Sequence, residues 1–254
     1  MRYVALILIL LAFGFSKLKF EQRLAEEHRA AYFHGAKLNL NMRQQIGQMG
    51  FLAALSGFRS LVADALWIEA HSSWERTEWG KMALLFDNVT ALQPRCILFW
   101  EMSAWHMGYN ASVSARNNPK QPREALRIKA QREYFKISED FLLRGIENNP
   151  DRYNLYEHLA ILYREKFQDH EKAFEWFDKA KDFKDAPVYE KRFAAFELSY
   201  CPGREREAYA RLLALYNRGE QERVPTLITR LKFLEEKLNV PPAQRVYIQP
   251  GKKQ

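Results

Sequence analysis

A chain of 254 residues with 47% hydrophobic and 14% aromatic side chains can bury a sizeable core, which excludes intrinsic disorder and fits one or two domains. Eleven glycines and ten prolines are few beside the abundant Leu, Ala, Glu, Lys and Arg, so the predicted fold class is all-α. The net charge of +8 attracts anionic lipid, nucleic acid or acidic proteins without choosing among them, and Cys96 and Cys201 lack the spacing of a zinc, haem or disulfide framework.

From Tyr3 to Phe15 the chain reads YVALILILLAFGF, a charge-free run between Arg2 and Lys17. As a helix it spans about 20 Å, short of the roughly 30 Å hydrocarbon core unless it extends to Phe20 with Lys17 and Lys19 snorkelling. Three readings stay open: an uncleaved single-pass anchor, a cleaved signal peptide and a buried core helix. The anchor is preferred, because no small-x-small cleavage site or lipobox cysteine follows the run. Arg2 and the amino terminus balance Lys17 and Lys19, so the flanking charge does not set the orientation. The habit of short N-terminal anchors places the body outside the cytoplasm.

Residues 16–40 read as a charged spacer containing an amphipathic helix. From Asn41 the chain turns apolar with small residues interspersed. Arg59 and Asp64 sit too centrally for a second membrane span, and Ser56-Gly57 marks a break, which predicts helices over 41–55 and 58–75. The expected organisation is an anchor over 1–20, connecting helices over 21–56, a repeat domain over 57–222, a capping helix over 223–240 and an irregular tail over 241–254.

Internal repetition is the most informative feature. Counting back from Pro94, Val89, Phe86 and Met82 stand at offsets of five, eight and twelve; from Pro150 the same offsets give Gly145, Leu142 and Ser138. Ala173, Phe177 and Ala180 show the same spacing before Pro187. Each set puts a small or apolar stripe on one helix face, and the proline follows the end of the helix. Pro94 therefore reads as the closing proline of one helix pair, with the aromatic-rich helix after it opening the next.

The segment NLYEHLAILYREKFQDHEKAFEWFDKAKDFKDAP, with Tyr156, Leu159, Ala160 and Tyr163, then Ala173, Phe177, Ala180 and Pro187, resembles the tetratricopeptide repeat. Looser units run from Asp64 to Pro94, from Trp100 to Pro150 with an insertion near 113–132, and from Tyr189 to about Gly219, where CPGR interrupts the pattern. The run GFRSLVADALWIEA also resembles the head of bacterial membrane-anchored proteins with degenerate repeats of this kind. The resemblance implies a right-handed α-solenoid of helix pairs behind an N-terminal anchor in a bacterial inner membrane. Pro225 at a helix start, with Leu227, Ile228, Leu231 and Leu234 on one face, fits the cap such an array requires.

In that family the first helix of each unit lines a concave groove. Carried onto this chain, the groove positions are Asp64, Trp67, His71 and Trp74; then Glu101, Trp105 and Tyr109; then Asn154, Glu157, His158, Ile161 and Arg164. Such a groove clamps a peptide or protein partner, with the aromatics supplying burial and the polar groups fixing the backbone. The competing reading for the tryptophans is packing between helices. No G-x-S-x-G, phosphate loop or H-E-x-x-H is present, so no catalysis and no cofactor are expected. His71, Glu75 and His106 are the nearest approach to a metal set, and their convergence is not implied by spacing, so no metal is expected either. The segment from Arg116 to Lys136 carries Lys120, Arg123, Arg127, Lys129 and Arg132 as candidates for an anionic partner, Pro119 and Pro122 predicting a loop before a helix. The function expected is a membrane-anchored scaffold for protein–protein interaction. The alternative, a basic helical-repeat protein that binds nucleic acid, is disfavoured because the cations cluster in one insertion and do not recur in every repeat.

Overall fold

The computed structural model describes residues 57–246, and these are helical with no strand among them. The predicted helix over 41–55 and the apolar run near the N-terminus lie outside the described residues. None of the described helices is long and apolar enough to cross a membrane. The chain divides after Pro150 into two compact units, each built from paired helices.

In the first unit, α1 (Arg59–Glu75) folds back on α2 (Trp79–Leu92). Gly57, at φ 80°, precedes α1 at the predicted break. The turn between the two helices is a Schellman motif: Glu78 N–H donates to the Ser73 carbonyl at 2.8 Å and Thr77 N–H to the Trp74 carbonyl at 2.9 Å. Thr77 occupies the left-handed position, at φ 58°. Ala63, Ala70 and Ser73 are buried along α1, and these small side chains allow close approach to Met82, Phe86 and Val89, all buried on α2.

Helix α3 (Ile97–Trp105) begins three residues after Pro94 and runs through a π-helical turn, His106–Ala111, into α4 (Ser112–Arg116). After a loop, α5 (Glu124–Asn148) packs against this long helix. Ser138, Leu142 and Gly145, the stripe read from Pro150, are buried on α5. Ser138 Oγ donates to the Ala104 carbonyl at 2.7 Å, which a larger residue at that point would prevent. Arg144 pairs with Asp87 at 2.7 Å and lies over the rings of Trp100 and Phe141, so α5 is tied to both α2 and α3.

The second unit runs through α6 (Tyr153–Leu162), a π turn (Tyr163–Phe167), α7 (His170–Ala180), α8 (Tyr189–Leu198), α9 (Glu205–Tyr216) and α10 (Pro225–Lys237). Asp169 caps α7 by accepting from Lys172 N–H at 3.0 Å. Ala160, Phe174, Phe177, Ala194, Leu212, Leu227, Leu231 and Leu234 belong to one buried core. Ala173, Phe177 and Ala180 are wholly buried, so the stripe detected three times in the sequence is core each time. CPGR, read as an interruption of the repeat, forms the connection between α8 and α9. Pro225 stands in the first turn of α10, as predicted, and the tail after it contains a short 3-10 turn, Pro242–Gln244.

Candidate functional site

In the first unit the aromatic residues converge on His106, which opens the π turn and is 3% exposed. Its ring centroid lies 5.6 Å from His71, 5.9 Å from Trp74, 5.6 Å from Phe86 and 5.0 Å from Trp105. The Asn110 amide donates to His106 Nδ1 at 3.2 Å, which leaves the proton on Nε2, and Nε2 finds no hydrogen-bond partner. His71 donates from Nδ1 to the Trp67 carbonyl at 2.9 Å. Burial pulls His106 down to about 4, and the neighbouring His71 pushes the same way. A neutral imidazole is therefore enclosed by rings at physiological pH.

The predicted groove residues divide into packed and exposed ones. Trp67 packs against Phe86 and Phe99, with centroids at 5.2 and 4.9 Å, and belongs to the core margin of this unit. Trp74 and Trp105, by contrast, are 40% and 45% exposed while each keeps one edge against His106. Tyr109 stacks on Trp105 at 6.4 Å. Asp64 is exposed and Glu101 half-buried on the same helices. His71 and His106 do meet, yet Glu75 is exposed, and among the described residues no three His, Cys, Asp or Glu side chains are placed to hold a metal ion.

In the second unit, Glu157, Ile161 and Arg164 follow one another along α6 and its π turn. Ile161 packs against the core, and Arg164 lies over the rings of Phe177 and Phe193 at 5.6 Å each. Asn154 is half-buried beside Tyr153, and His158 is exposed. Glu157 faces a residue that sequence reasoning missed. Glu190, in the first turn of α8, is 0% exposed, and burial, then the Glu157 charge, push its carboxyl up to about 8. Arg164 offsets part of that shift. Both Glu190 carboxyl oxygens are buried without a hydrogen-bond partner among the described residues, which favours the protonated form, and burial and Glu157 push the neighbouring Tyr189 hydroxyl up to about 12. A carboxylate in a helix of mixed composition reads as solvent-exposed, so no local signal marked Glu190. Its place one turn before the buried Ala194 was the only hint.

The basic segment forms as predicted. Lys120 and Arg123 lie exposed in the loop after α4, and Lys129 and Arg132 lie exposed on the first half of α5, with Arg127 half-buried. None of the five makes an ion pair among the described residues. Comparison with family models, with curated proteins and with solved structures finds no match.

Proposed function

We propose that this chain is a membrane-anchored scaffold of tetratricopeptide-like helix pairs, arranged as a right-handed solenoid, that recognises a protein partner and performs no chemistry on it. The anchor is the apolar run from Tyr3, and the body faces away from the cytoplasm of a bacterial cell. The carrying observation is the pair of half-exposed tryptophans, Trp74 and Trp105, braced against buried His106. Rigid aromatics with one face packed and one face wet contribute large contact area at low entropic cost, which is the composition of interface hot spots. The second unit, taken by itself, offers Glu157 and Arg164 as further charged contacts for a protein partner, Arg164 lying over the rings of Phe177 and Phe193.

The experiment is photocrosslinking in cells from positions 74 and 105, followed by affinity measurement with the purified partner. Trp74→Ala and Trp105→Ala should each weaken binding about ten-fold or more, in the range of a hot-spot truncation, while the chain keeps its helical content and a cooperative unfolding transition. Protein crosslinks absent from both positions, or affinity unmoved by both substitutions, would sink the reading.

A further inference from the structure

The first half of α5 carries a surface that the scaffold reading leaves unused. Its buried side is Phe135, Ser138, Phe141, Leu142 and Gly145. On the opposite side Ala125, Ile128, Lys129, Arg132, Glu133 and Lys136 recur at helical spacing along one stripe. Leu126, at its border, is 42% exposed. The acidic residues here are already satisfied: Glu124 pairs with Arg116 at 2.6 Å and Glu133 with Lys136 at 3.4 Å. Lys129 and Arg132, with Lys120 and Arg123 in the loop that leads into the helix, are exposed cations with no carboxylate partner among the described residues.

We propose that this stripe of α5 and the loop before it form a peripheral contact with an anionic lipid bilayer, cations on the headgroup phosphates and Ala125 and Ile128 in the interface. Unpaired cations alone would suit any polyanion. Ala125 and Ile128, interleaved with them, decide for lipid, because an interfacial helix gains from seating apolar side chains at the acyl boundary while its cations hold the headgroups. A nucleic-acid strand offers those aliphatic side chains nothing, and the stripe lacks the aromatic rings on which bases stack. The contact is separate from the proposed anchor in the apolar N-terminal run, to which any binding to neutral vesicles is ascribed. The stripe adds the dependence on lipid charge.

The test is co-sedimentation of the full chain with phosphatidylcholine vesicles and with vesicles that also contain phosphatidylglycerol, for the parent and for Arg123→Glu/Lys129→Glu/Arg132→Glu. The parent should bind the anionic vesicles more tightly, by about five-fold for each engaged cation, and raised salt should erase the gain. The triple variant, whose changes are all exposed, should keep binding to neutral vesicles and lose the gain. Failure of the anchor reading would appear separately, as no binding to neutral vesicles. Equal binding to both vesicle types, or a gain that survives the triple charge reversal, overturns the proposal. So does binding to single-stranded RNA or duplex DNA that is tighter than to anionic vesicles and lost in the same variant, which would assign the stripe to nucleic acid.

Discussion

The side-chain amide of Asn149 donates to the carbonyl of Pro94 at 2.8 Å, across 55 residues of sequence. The same carbonyl accepts from Trp100 Nε1 at 3.0 Å, and Arg95 reaches the carbonyl of Asn148 at 2.7 Å. The end of α5 is thereby fastened to the joint between α2 and α3. The two closing segments that the sequence marks with proline, Pro94 and Pro150, meet through the residues beside them.

Replacing Asn149 with Ala leaves the Pro94 carbonyl with the indole alone and removes a second bond, to the Gly145 carbonyl at 3.0 Å. Asn149 is buried, so water does not replace these bonds readily. The expected cost is about 2 kcal/mol, read as a lower urea midpoint at constant slope. Asn149→Asp should cost more, since it puts an unpaired charge in the same place.

His106 makes the fold sensitive to acid. Below its ordinary value of 6.5 the unfolded chain takes up a proton that the folded chain refuses until about pH 4. The stability present above pH 6.5 is therefore lost as pH falls through that window, by at most about 1.4 kcal/mol per pH unit. His106→Phe keeps the ring contacts and removes the proton, so its urea midpoint should hardly move between pH 7 and 5 while the parent's falls. A parallel fall in both would show that other groups carry the effect.

Glu190 acts at the other end of the scale. Its folded-state carboxyl, pushed from 4.5 up to about 8, keeps a proton that the unfolded chain has released. Stability from this site is full below pH 4.5 and declines as pH rises towards 8, again by at most about 1.4 kcal/mol per unit. Glu190→Gln keeps a neutral side chain of the same size beside Glu157 and abolishes the titration. The variant should melt higher than the parent at pH 8 and close to it at pH 5, and equal melting at pH 8 would count against a raised Glu190 carboxyl.

Thr77 is a β-branched residue in the left-handed region, at an exposed turn position. Glycine occupies that conformation without the steric penalty, and no buried contact is lost. Thr77→Gly should stabilise the first unit by about 1 kcal/mol, visible as a higher thermal midpoint.

Periodicity made the buried stripes legible. Met82, Phe86 and Val89, then Ser138, Leu142 and Gly145, then Ala173, Phe177 and Ala180 are buried because a recurring small-or-apolar face has nowhere else to go. The helix predicted over 58–75 appears as Arg59–Glu75, bounded by the glycine that suggested it. Spacing did not separate Trp67 from Trp74. Both lie on the side of α1 that meets His71 and His106, and only the rings of Phe86 and Phe99, brought in from other helices, draw one inside and leave the other wet. Glu190 was hidden for a related reason: its burial depends on the neighbour across the helix pair, and its own segment does not announce it.

The π turn at His106–Ala111 sets the phase of the long helix it interrupts, whereas the one at Tyr163–Phe167 ends its helix at Gln168, in the left-handed region at φ 56°. One residue more than a regular turn rotates everything beyond it by about 100° relative to an uninterrupted α-helix. Past the first of these turns, Ser112 is buried and donates to the Gly108 carbonyl at 2.6 Å, while Val113 stands 48% exposed. A chain shortened by one residue there would regain a uniform pitch and turn α4 out of register with α5. The widened turn is thus a clock setting for the fold, fixing which side of the second half of that helix is read by its neighbour and which by the solvent.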